Sequence, residues 1–189
     1  MKNRTIDDQV NFLREADKLK SVYRATSLSN GERRENSAEH SWHVALYALI
    51  LADHANTKID IFRVIKMIII HDLVEIDVGD YPIFSKYDVA AIREKEAAAA
   101  TRIFSLLPTD QASEFSKLWI EFDAGETSDA QFAKSMDRFQ PPNQNLASGG
   151  GTWLKYDVNF EQIESRVGNQ IHKGAPRLWA WLQPKIKKF

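Results

Sequence analysis

Two short stretches of the chain combine histidine with carboxylates at spacings that could hold a metal ion. Residues 39–43 read Glu-His-Ser-Trp-His, and the second stretch begins with His71-Asp72. Glu75 comes four residues after His71 and three after Asp72, so on a helix it returns to their side. One imidazole and two carboxylates at one place would suit Mn²⁺, Co²⁺, Fe²⁺, Zn²⁺ or Mg²⁺.

The surroundings of His71-Asp72 favour a bound cation. The pair follows the apolar run Met67–Ile70, and a carboxylate beside such a run is costly to bury unless it is paired or bound to a cation. Spacing alone still leaves a packed or surface role open for each of the five histidines. Spacing alone also assigns no role to Asp137, which is only a carboxylate on a predicted helix.

The composition narrows both the chemistry and the class of partner. The chain has no cysteine, which excludes disulfides, thiolate nucleophiles and cysteine-ligated zinc. Its 25 Lys and Arg residues against 26 Asp and Glu residues give a formal net charge of −1, which argues against broad binding to nucleic acid or anionic membranes. The longest apolar run, Val44–Ala52, is too short for a membrane span of roughly 20 residues. Since no signal-peptide apolar region precedes it, we expect a cytoplasmic protein.

The elements that must position these residues are predicted to be helices. With 189 residues, the chain is expected to form one domain. Apolar residues at helical spacing predict a first helix from Ile6 through about Leu19. A second is predicted over about 37–53, and its apolar centre should be buried on all sides. A third helix is expected over 61–75, with Asp60 as its N-cap.

The second half of the chain carries signals for helix starts and ends. Capping boxes predict helix starts at residues 85–88, 128–131 and 159–162. The first of these helices should run to about residue 107, before another over about 110–122. Pro141-Pro142 should end or interrupt the next helix, and residues 148–151 should form a flexible loop. Gly174 should end the penultimate helix and Pro176 should start the last. Since no strand is expected, the predicted fold class is all-α.

The order of the polar motifs resembles the HD-domain metal-dependent phosphohydrolase superfamily. Ala38-Glu39-His40-Ser41, His71-Asp72 and Asp137 follow that superfamily's pattern H…HD…D. The lead-in at residues 33–41, the HDxxExxxGD element at 71–80 and the AKxxDxL/R element at 133–138 are similar to the 5′-deoxynucleotidase-like branch. The similarity covers residues from about 19 to 140, whereas residues 140–145 and the glycine loop at 149–151 look unlike the better-known deoxynucleotidases.

The resemblance implies a fold and a metal site. It implies the all-helical HD fold as a single domain over residues 1–189, with a metal-binding core at about 19–140 and C-terminal helices at about 159–188 packing on it. One divalent ion, which could be Mn, Co, Zn, Fe or Mg, would be bound by His40, His71, Asp72 and Asp137.

The same resemblance implies roles for further residues. Glu75 and Asp80 would lie beside the metal as catalytic residues facing substrate and water, and Asp80 could accept a hydrogen bond from a sugar hydroxyl. Arg24 would contact the phosphate of the substrate, with Arg33 as the alternative. His43 falls where relatives often carry Arg or Gln. Three roles stay open for it: support of the metal ligands from behind, a contact with substrate, or plain packing.

The implied function is that of a phosphomonoesterase acting on 5′-(deoxy)nucleoside monophosphates through metal-activated water. A nucleoside triphosphate or pyrophosphate hydrolase of the same superfamily stays open as an alternative, and it would need additional Lys or Arg residues near the site. A non-catalytic HD module that binds metal or nucleotide is a further alternative. The expected partner is a small-molecule phosphate ester, with no nucleic acid and no membrane, and the chain should form a homodimer or a higher even oligomer.

Overall fold

The computed structural model describes residues 2–189, and helices make up most of the fold. Met1, the first residue of the predicted domain, lies outside the described residues. The α-helices in chain order are α1 Lys2–Ala16, α2 Ser37–Leu51, α3 Ile61–Ile70, α4 Glu75–Val78, α5 Val89–Phe104, α6 Thr109–Ala124, α7 Ser128–Ala147, α8 Gly151–Lys155, α9 Phe160–Ile163, α10 Asn169–Gly174 and α11 Pro176–Ile186. Two strands, β1 Tyr23–Ser27 and β2 Arg34–Asn36, form an antiparallel hairpin. Turns of 3₁₀-helix cover Asp17–Ser21, Ala52–His54 and His71–Val74, and a π-helical turn covers Glu164–Gly168. The predicted all-α class is confirmed.

The hairpin of β1 and β2 corrects the expectation that the chain has no strand. Tyr23 pairs with Asn36, and the register is irregular further along the two strands. The Arg34 side chain supports the pairing by donating to the carbonyl of Tyr23 at 2.8 Å. Strands this short and irregular leave no alternating pattern in the sequence. The hairpin matters to the site because it carries the buried residues Arg24 and Glu35.

The core lies where α2, α3 and α7 meet. Its apolar side chains with 0% exposure in these three helices are Val44, Ala48, Val64, Met67, Ile68, Ala130, Phe132, Ala133 and Met136. Asn36 starts α2 through a capping box with Glu39. However, α2 is not buried on all sides as predicted, because Leu49 is 51% and Ile50 is 73% exposed. The face of α2 toward α3 and α7 is covered, whereas the side that carries Leu49 and Ile50 is exposed.

The predicted helix over 61–75 is divided into three pieces. Asp60 caps α3 as predicted, since its carboxylate accepts from two N–H groups of the first turn at 3.0 and 3.3 Å. However, α3 ends at Ile70, and the tighter 3₁₀ turn His71–Val74 precedes α4. The ring of His71 bonds the carbonyl of Ile68 through Nδ1 at 2.6 Å, so this side chain is tied back to the end of α3.

Two predicted helix starts are corrected by the structure. Asp88 caps α5 alone, accepting from the N–H groups of the first turn at 3.0 and 3.1 Å, so the capping box with Ser85 does not form. Thr127 rather than Ser128 caps α7, because the Thr127 hydroxyl accepts from a first-turn N–H at 3.2 Å. The capping box at residues 159–162 is confirmed.

Helix α7 continues through Pro141-Pro142, contrary to the prediction that it ends or breaks there. The prolines remove two N–H groups that would bond carbonyls one turn earlier. Packing outweighs this loss, because Gln144 and Asn145 of the following turn are buried. The side chain of Asn143 also donates to the carbonyl of Phe139 at 2.7 Å.

The C-terminal helices pack on α7. The hydroxyl of Ser135 on α7 lies 3.1 and 3.3 Å from two carbonyl oxygens of α10. Gly174 ends α10 as predicted, and a Cβ there would collide with the backbone of α7, so the close approach requires glycine. Pro176 starts α11, as predicted. Across residues 2–189, none of the helices is long and apolar enough to cross a bilayer.

Candidate metal centre

Three parts of the fold bring four ionisable side chains together. His40 comes from α2, His71 and Asp72 from the 3₁₀ turn after α3, and Asp137 from α7, and all four are buried. His40 Nε2 lies 3.0 Å from Asp137 Oδ1. His71 Nε2 lies 2.9 Å from Asp72 Oδ1 and 3.7 Å from Asp137 Oδ1. The structure therefore brings the four residues proposed from the sequence as metal ligands into one cluster.

Hydrogen bonds determine which ring nitrogen of each histidine faces the cluster. The carbonyl of Ile68 can only accept, so His71 Nδ1, at 2.6 Å, carries a proton. The amide oxygen of Gln140 accepts from His40 Nδ1 at 3.2 Å in the same way. In the neutral rings both Nε2 atoms therefore turn a lone pair toward carboxylate oxygens. His71 Nε2 is buried, and it makes no hydrogen bond to any described residue.

This arrangement fits a divalent ion. A nitrogen lone pair and a carboxylate oxygen repel each other at the observed distances of 3.0 and 2.9 Å unless a cation or a proton lies between them. The donor atoms of one bound ion lie about 2.1 Å from it. Two neighbouring donors in its coordination sphere are then separated by distances like these two. Imidazole nitrogen and carboxylate oxygen are also the donors that first-row divalent metals accept.

A second layer of buried polar side chains holds His40 from behind. Besides accepting from His40, Gln140 donates to Glu35 Oε1 at 2.8 Å, and Gln144 donates to the same oxygen at 2.8 Å. Glu35 Oε2 lies 3.4 Å from His40 Nδ1. The amide nitrogen of Gln140 also lies 3.1 Å from His43 Nδ1. His43 thus contacts the layer behind the cluster and not the cluster itself.

Arg24 lies on β1 and is surrounded by carboxylates. Its Nη1 is 3.2 Å from Asp72 Oδ2, 3.5 Å from Asp80 Oδ1 and 3.7 Å from Glu75 Oε1, and its side chain is 10% exposed. Asp80 also accepts from the backbone N–H of Ala25 at 3.2 Å, which ties the loop after α4 to the hairpin. The charge of Arg24 is therefore already compensated within the protein.

The structure brings Arg24, Glu75 and Asp80 to the cluster but leaves Arg33 outside it. Arg33 forms two hydrogen bonds with the carboxylate of Glu39, at 2.8 and 2.6 Å, and its side chain is 51% exposed. Glu75, in contrast, is held inside by the hydroxyl of Ser37, which donates to its Oε2 at 2.5 Å.

The carboxylates of the cluster shift the pKa of both histidines upward. Burial alone would lower the pKa of His71, but Asp72 and Asp137 outweigh it and raise this pKa to about 10. Burial and the charge of Arg24 lower the pKa of His40, and hydrogen bonds to Asp137 and Glu35 raise it by more. In the absence of a cation, the cluster therefore attracts protons to the nitrogens that would bind one.

The carboxyl groups of the site fall into two classes. Burial opposes the ionisation of Asp72 and Asp137, but His71 lowers the pKa of Asp72, and Arg138 lowers that of Asp137. Glu75 behaves differently, because burial and then the charge of Asp72 raise its pKa well above the usual range. Ionised groups beside a carboxyl group with a raised pKa are a combination found in acid–base catalysis.

A cavity of about 360 Å³ opens onto the cluster, which is a volume typical of small-molecule sites. Aromatic side chains that line it are Tyr81, Phe84, Tyr87, Trp119, Phe122, Trp153 and Tyr156. Besides Arg24, three cationic side chains line it: Arg93, Lys134 and Arg138. Lys134 and Arg138 lie within the motif at 133–138 but have no role assigned from the sequence, and Arg93 lies outside every motif, because on a helix such residues look the same as solvated surface charges.

The second layer around Glu35 also leaves little signal in the sequence. Glu35 lies in the polar segment before α2, and its only signal is its place in the lead-in motif at 33–41. Gln140 follows Asp137 by three residues on α7, so the two share a helix face. That spacing is the one feature of the sequence that could have indicated Gln140.

Comparisons with known proteins agree with this geometry. The model of the HD domain family matches residues 16–179. A solved structure described as a predicted metal-dependent phosphohydrolase from Magnetospirillum magnetotacticum MS-1 is 42% identical, with a TM-score of 0.92, and the match covers 98% of this chain and 95% of that chain.

Curated relatives include 5′-deoxynucleotidases. One from Shewanella oneidensis is 33% identical over 170 residues, which cover 83% of this chain and 78% of that protein. The human 5′-deoxynucleotidase HDDC2 is 29% identical over 128 residues, which cover 67% of this chain and 61% of the human protein. The matched region thus spans less than two thirds of the human relative.

Proposed function

The chain belongs to the HD domain family, and from this membership we propose that it is a metal-dependent phosphomonoesterase acting on 5′-(deoxy)nucleoside monophosphates. The observation that carries the proposal is the buried cluster of two histidines and two aspartates at an open cavity. A purely structural metal site would need only those ligands, whereas Glu75 and Asp80 line the same cavity. The 5′-deoxynucleotidase names of the human and Shewanella relatives support the substrate class.

In this proposal His40, His71, Asp72 and Asp137 hold one divalent ion. When bound, the ion supplies Lewis-acid activation of a water molecule and of a phosphoryl oxygen. Imidazole and carboxylate donors are compatible with Mn, Co, Zn, Fe or Mg. Metal binding requires both Nε2 atoms to be unprotonated, and the contacts of each Nδ1 favour that tautomer.

Three residues of the chain act on the substrate side. Glu75, held by Ser37, accepts a proton from the attacking water as a general base. Asp80 accepts a hydrogen bond from a sugar hydroxyl. Arg24 donates to the phosphoryl oxygens from β1. We assign it this contact in preference to Arg33 because Arg24 lines the cavity, whereas Arg33 lies at the surface beside Glu39.

One observation favours a second candidate function. A nucleoside triphosphate or pyrophosphate hydrolase needs more cationic side chains than a phosphomonoesterase, and Arg93, Lys134 and Arg138 line the cavity in addition to Arg24. Two acidic residues, Glu96 and Asp123, line the same region and reduce its positive charge. The monophosphate substrate therefore remains the first proposal.

We further propose that the protein is cytoplasmic and forms a homodimer or a higher even oligomer. Large apolar side chains on α2 and α11 support a contact between copies, since Trp42 is 65%, Ile50 73% and Trp181 51% exposed. Light scattering coupled to size-exclusion chromatography tests this, and a monomer at micromolar concentration contradicts it.

Phosphate release by the metal-stripped protein tests the proposed function. The protein is resupplied with Mn²⁺, Co²⁺, Mg²⁺ or Zn²⁺ and given 5′- and 3′-mononucleotides, ribo and deoxy, together with nucleoside triphosphates. Release from 5′-deoxynucleoside monophosphates that is lost in Asp72→Ala supports the proposal. Release from triphosphates alone favours the second candidate, and activity that persists without metal contradicts both.

A further inference from the structure

We propose that Arg138 is a second phosphate-binding arginine, which contacts the phosphoryl group from the α7 side of the cavity, across from Arg24 on β1. This inference rests on the proposed function. It adds a catalytic residue to the same site, because the guanidinium would touch the reacting group directly.

The contrast between the two arginines points to this role. The guanidinium of Arg24 is 10% exposed and lies within 4 Å of carboxylates of Asp72, Glu75, Asp80 and Glu35. Arg138 lines the cavity, and its side chain is 36% exposed. Arg24 is therefore already paired within the protein, whereas Arg138 can accept an anion without breaking several ion pairs.

The one ion pair of Arg138 places its guanidinium beside the metal ligands. Its Nη1 lies 3.2 Å from Asp137 Oδ2, and the other oxygen of the same carboxylate, Oδ1, faces His40 and His71. Within residues 2–189 the guanidinium makes no other ion pair. An arginine carries five N–H donors in a planar fork, so several remain available for a phosphoryl group next to the ion.

The wall around Arg138 is mixed in charge. Lys134 precedes Arg138 by one helical turn and donates to the carbonyl of Asp123 at 2.6 Å, which holds its ammonium in place. Arg93 on α5 lines the same wall, as do the carboxylates of Glu96 and Asp123. With Asp137, three carboxylates balance the three cations of this wall, so an anion would be held by the N–H donors of the Arg138 guanidinium and not by a net charge.

The test compares Arg138→Gln with Arg33→Gln as a matched control. Both variants remove a guanidinium that is paired with one carboxylate, but Arg33 lies at the surface and pairs with Glu39. We expect Arg138→Gln to lower kcat/KM for a 5′-mononucleotide by about 100-fold, as the loss of one preorganised donor does. Arg33→Gln should leave kcat/KM unchanged.

Two readouts separate phosphate binding from a role in orienting Asp137. Calorimetric titration of the Mn²⁺-saturated protein with inorganic phosphate should show an affinity about 10-fold weaker in Arg138→Gln, with Mn²⁺ affinity within twofold of the unchanged protein. Added guanidinium ion should restore part of the activity of Arg138→Ala. Unchanged phosphate affinity, or a loss explained entirely by weaker Mn²⁺ binding, would overturn the proposal.

The phosphate titration also keeps the two proposals distinguishable. If the unchanged protein hydrolyses no phosphate ester, the proposed function fails, and the titration still measures whether Arg138 binds phosphate. If hydrolysis occurs and Arg138→Gln matches Arg33→Gln in every readout, the role of Arg138 is wrong while the proposed function stands.

Discussion

Replacement of Gln140 by leucine should weaken metal binding, whereas the same replacement of Gln144 should not. Both glutamines lie on α7, are at most 2% exposed and donate to Glu35 Oε1 at 2.8 Å. Only Gln140 also contacts His40, whose Nδ1 lies 3.2 Å from its amide oxygen. The pair therefore separates the contacts of Gln140 with His40 and His43 from the contact with Glu35 that both glutamines make.

The magnitudes follow from the bonds that each substitution removes. Gln144→Leu removes one buried hydrogen bond to a charged group, and we expect it to lower the free energy of unfolding by about 2 kcal/mol. Gln140→Leu removes the same kind of bond and also the acceptor for His40, so about 3–4 kcal/mol is expected. The loss of a group that orients a metal-binding histidine lowers metal affinity by about 10–100-fold, which is about 1.4–2.7 kcal/mol.

Two measurements on each purified variant decide the outcome. Urea unfolding of the metal-free proteins gives the stability change, and competition with a chromophoric chelator gives the dissociation constant for Mn²⁺ or Zn²⁺. Equal metal affinities for folded Gln140→Leu and Gln144→Leu would refute the reasoning. So would a larger loss of affinity in Gln144→Leu, because that residue does not touch His40.

Four other outcomes are expected. Asp72→Asn should bind no stoichiometric metal by mass spectrometry and release no phosphate, and turnover by this variant would contradict the role of Asp72. Phe132→Ala removes a side chain with 0% exposure, so urea unfolding should show a loss of about 3–5 kcal/mol, and a loss below about 1 kcal/mol would contradict the assigned packing. In the metal-free protein the pKa of His71 is raised from 6.5 to about 10, so its contribution to stability is fully present below pH 6.5 and is lost as the pH rises toward 10. Urea titrations across that range should show a decline that His71→Gln reduces, and a flat profile in the unchanged protein would speak against it. Arg33→Gln should change the free energy of unfolding by at most about 0.5 kcal/mol, because it removes only an exposed ion pair, and a loss above about 1 kcal/mol would contradict that placement.

Helix starts are predictable from this sequence where the capping chemistry is local. Asp60 caps α3 and the box at residues 159–162 caps α9, as the sequence predicts, because each cap bonds N–H groups two or three residues away. The end of α3 is not predictable in this way. It depends on His71, whose carbonyl accepts from Trp119 Nε1 at 3.2 Å, a contact across 48 residues.

The cluster of His40, His71, Asp72 and Asp137 could be assembled from the sequence only through a resemblance to a known family. Spacing suggests His71, Asp72 and Glu75, since these residues are close in sequence. Asp137 becomes a candidate ligand through the motif order, because its contact with His40 spans 97 residues. No local rule connects residues so far apart.

The layer behind the cluster could not be predicted for a similar reason. Glu35 lies in a hairpin too short to leave an alternating pattern, and its contacts with Gln140 and Gln144 span 105 and 109 residues. Buried polar side chains carry no periodic hydrophobic signal. Their positions depend on the docking of the hairpin against α7, which is decided by the whole fold.

The wide sequence separation of His40 and Asp137 has a thermodynamic consequence. The four side chains meet only after α2, α3 and α7 have docked, so an unfolded chain offers an ion no comparable site. By mass action, an ion that binds only the native chain, at 100 times its dissociation constant, stabilises that chain by about 2.7 kcal/mol. Since the net stability of a domain is about 5–15 kcal/mol, this is a large share. The free concentration of the ion in the cell would then govern both the fraction of the protein that is folded and the rate at which the folded protein hydrolyses substrate.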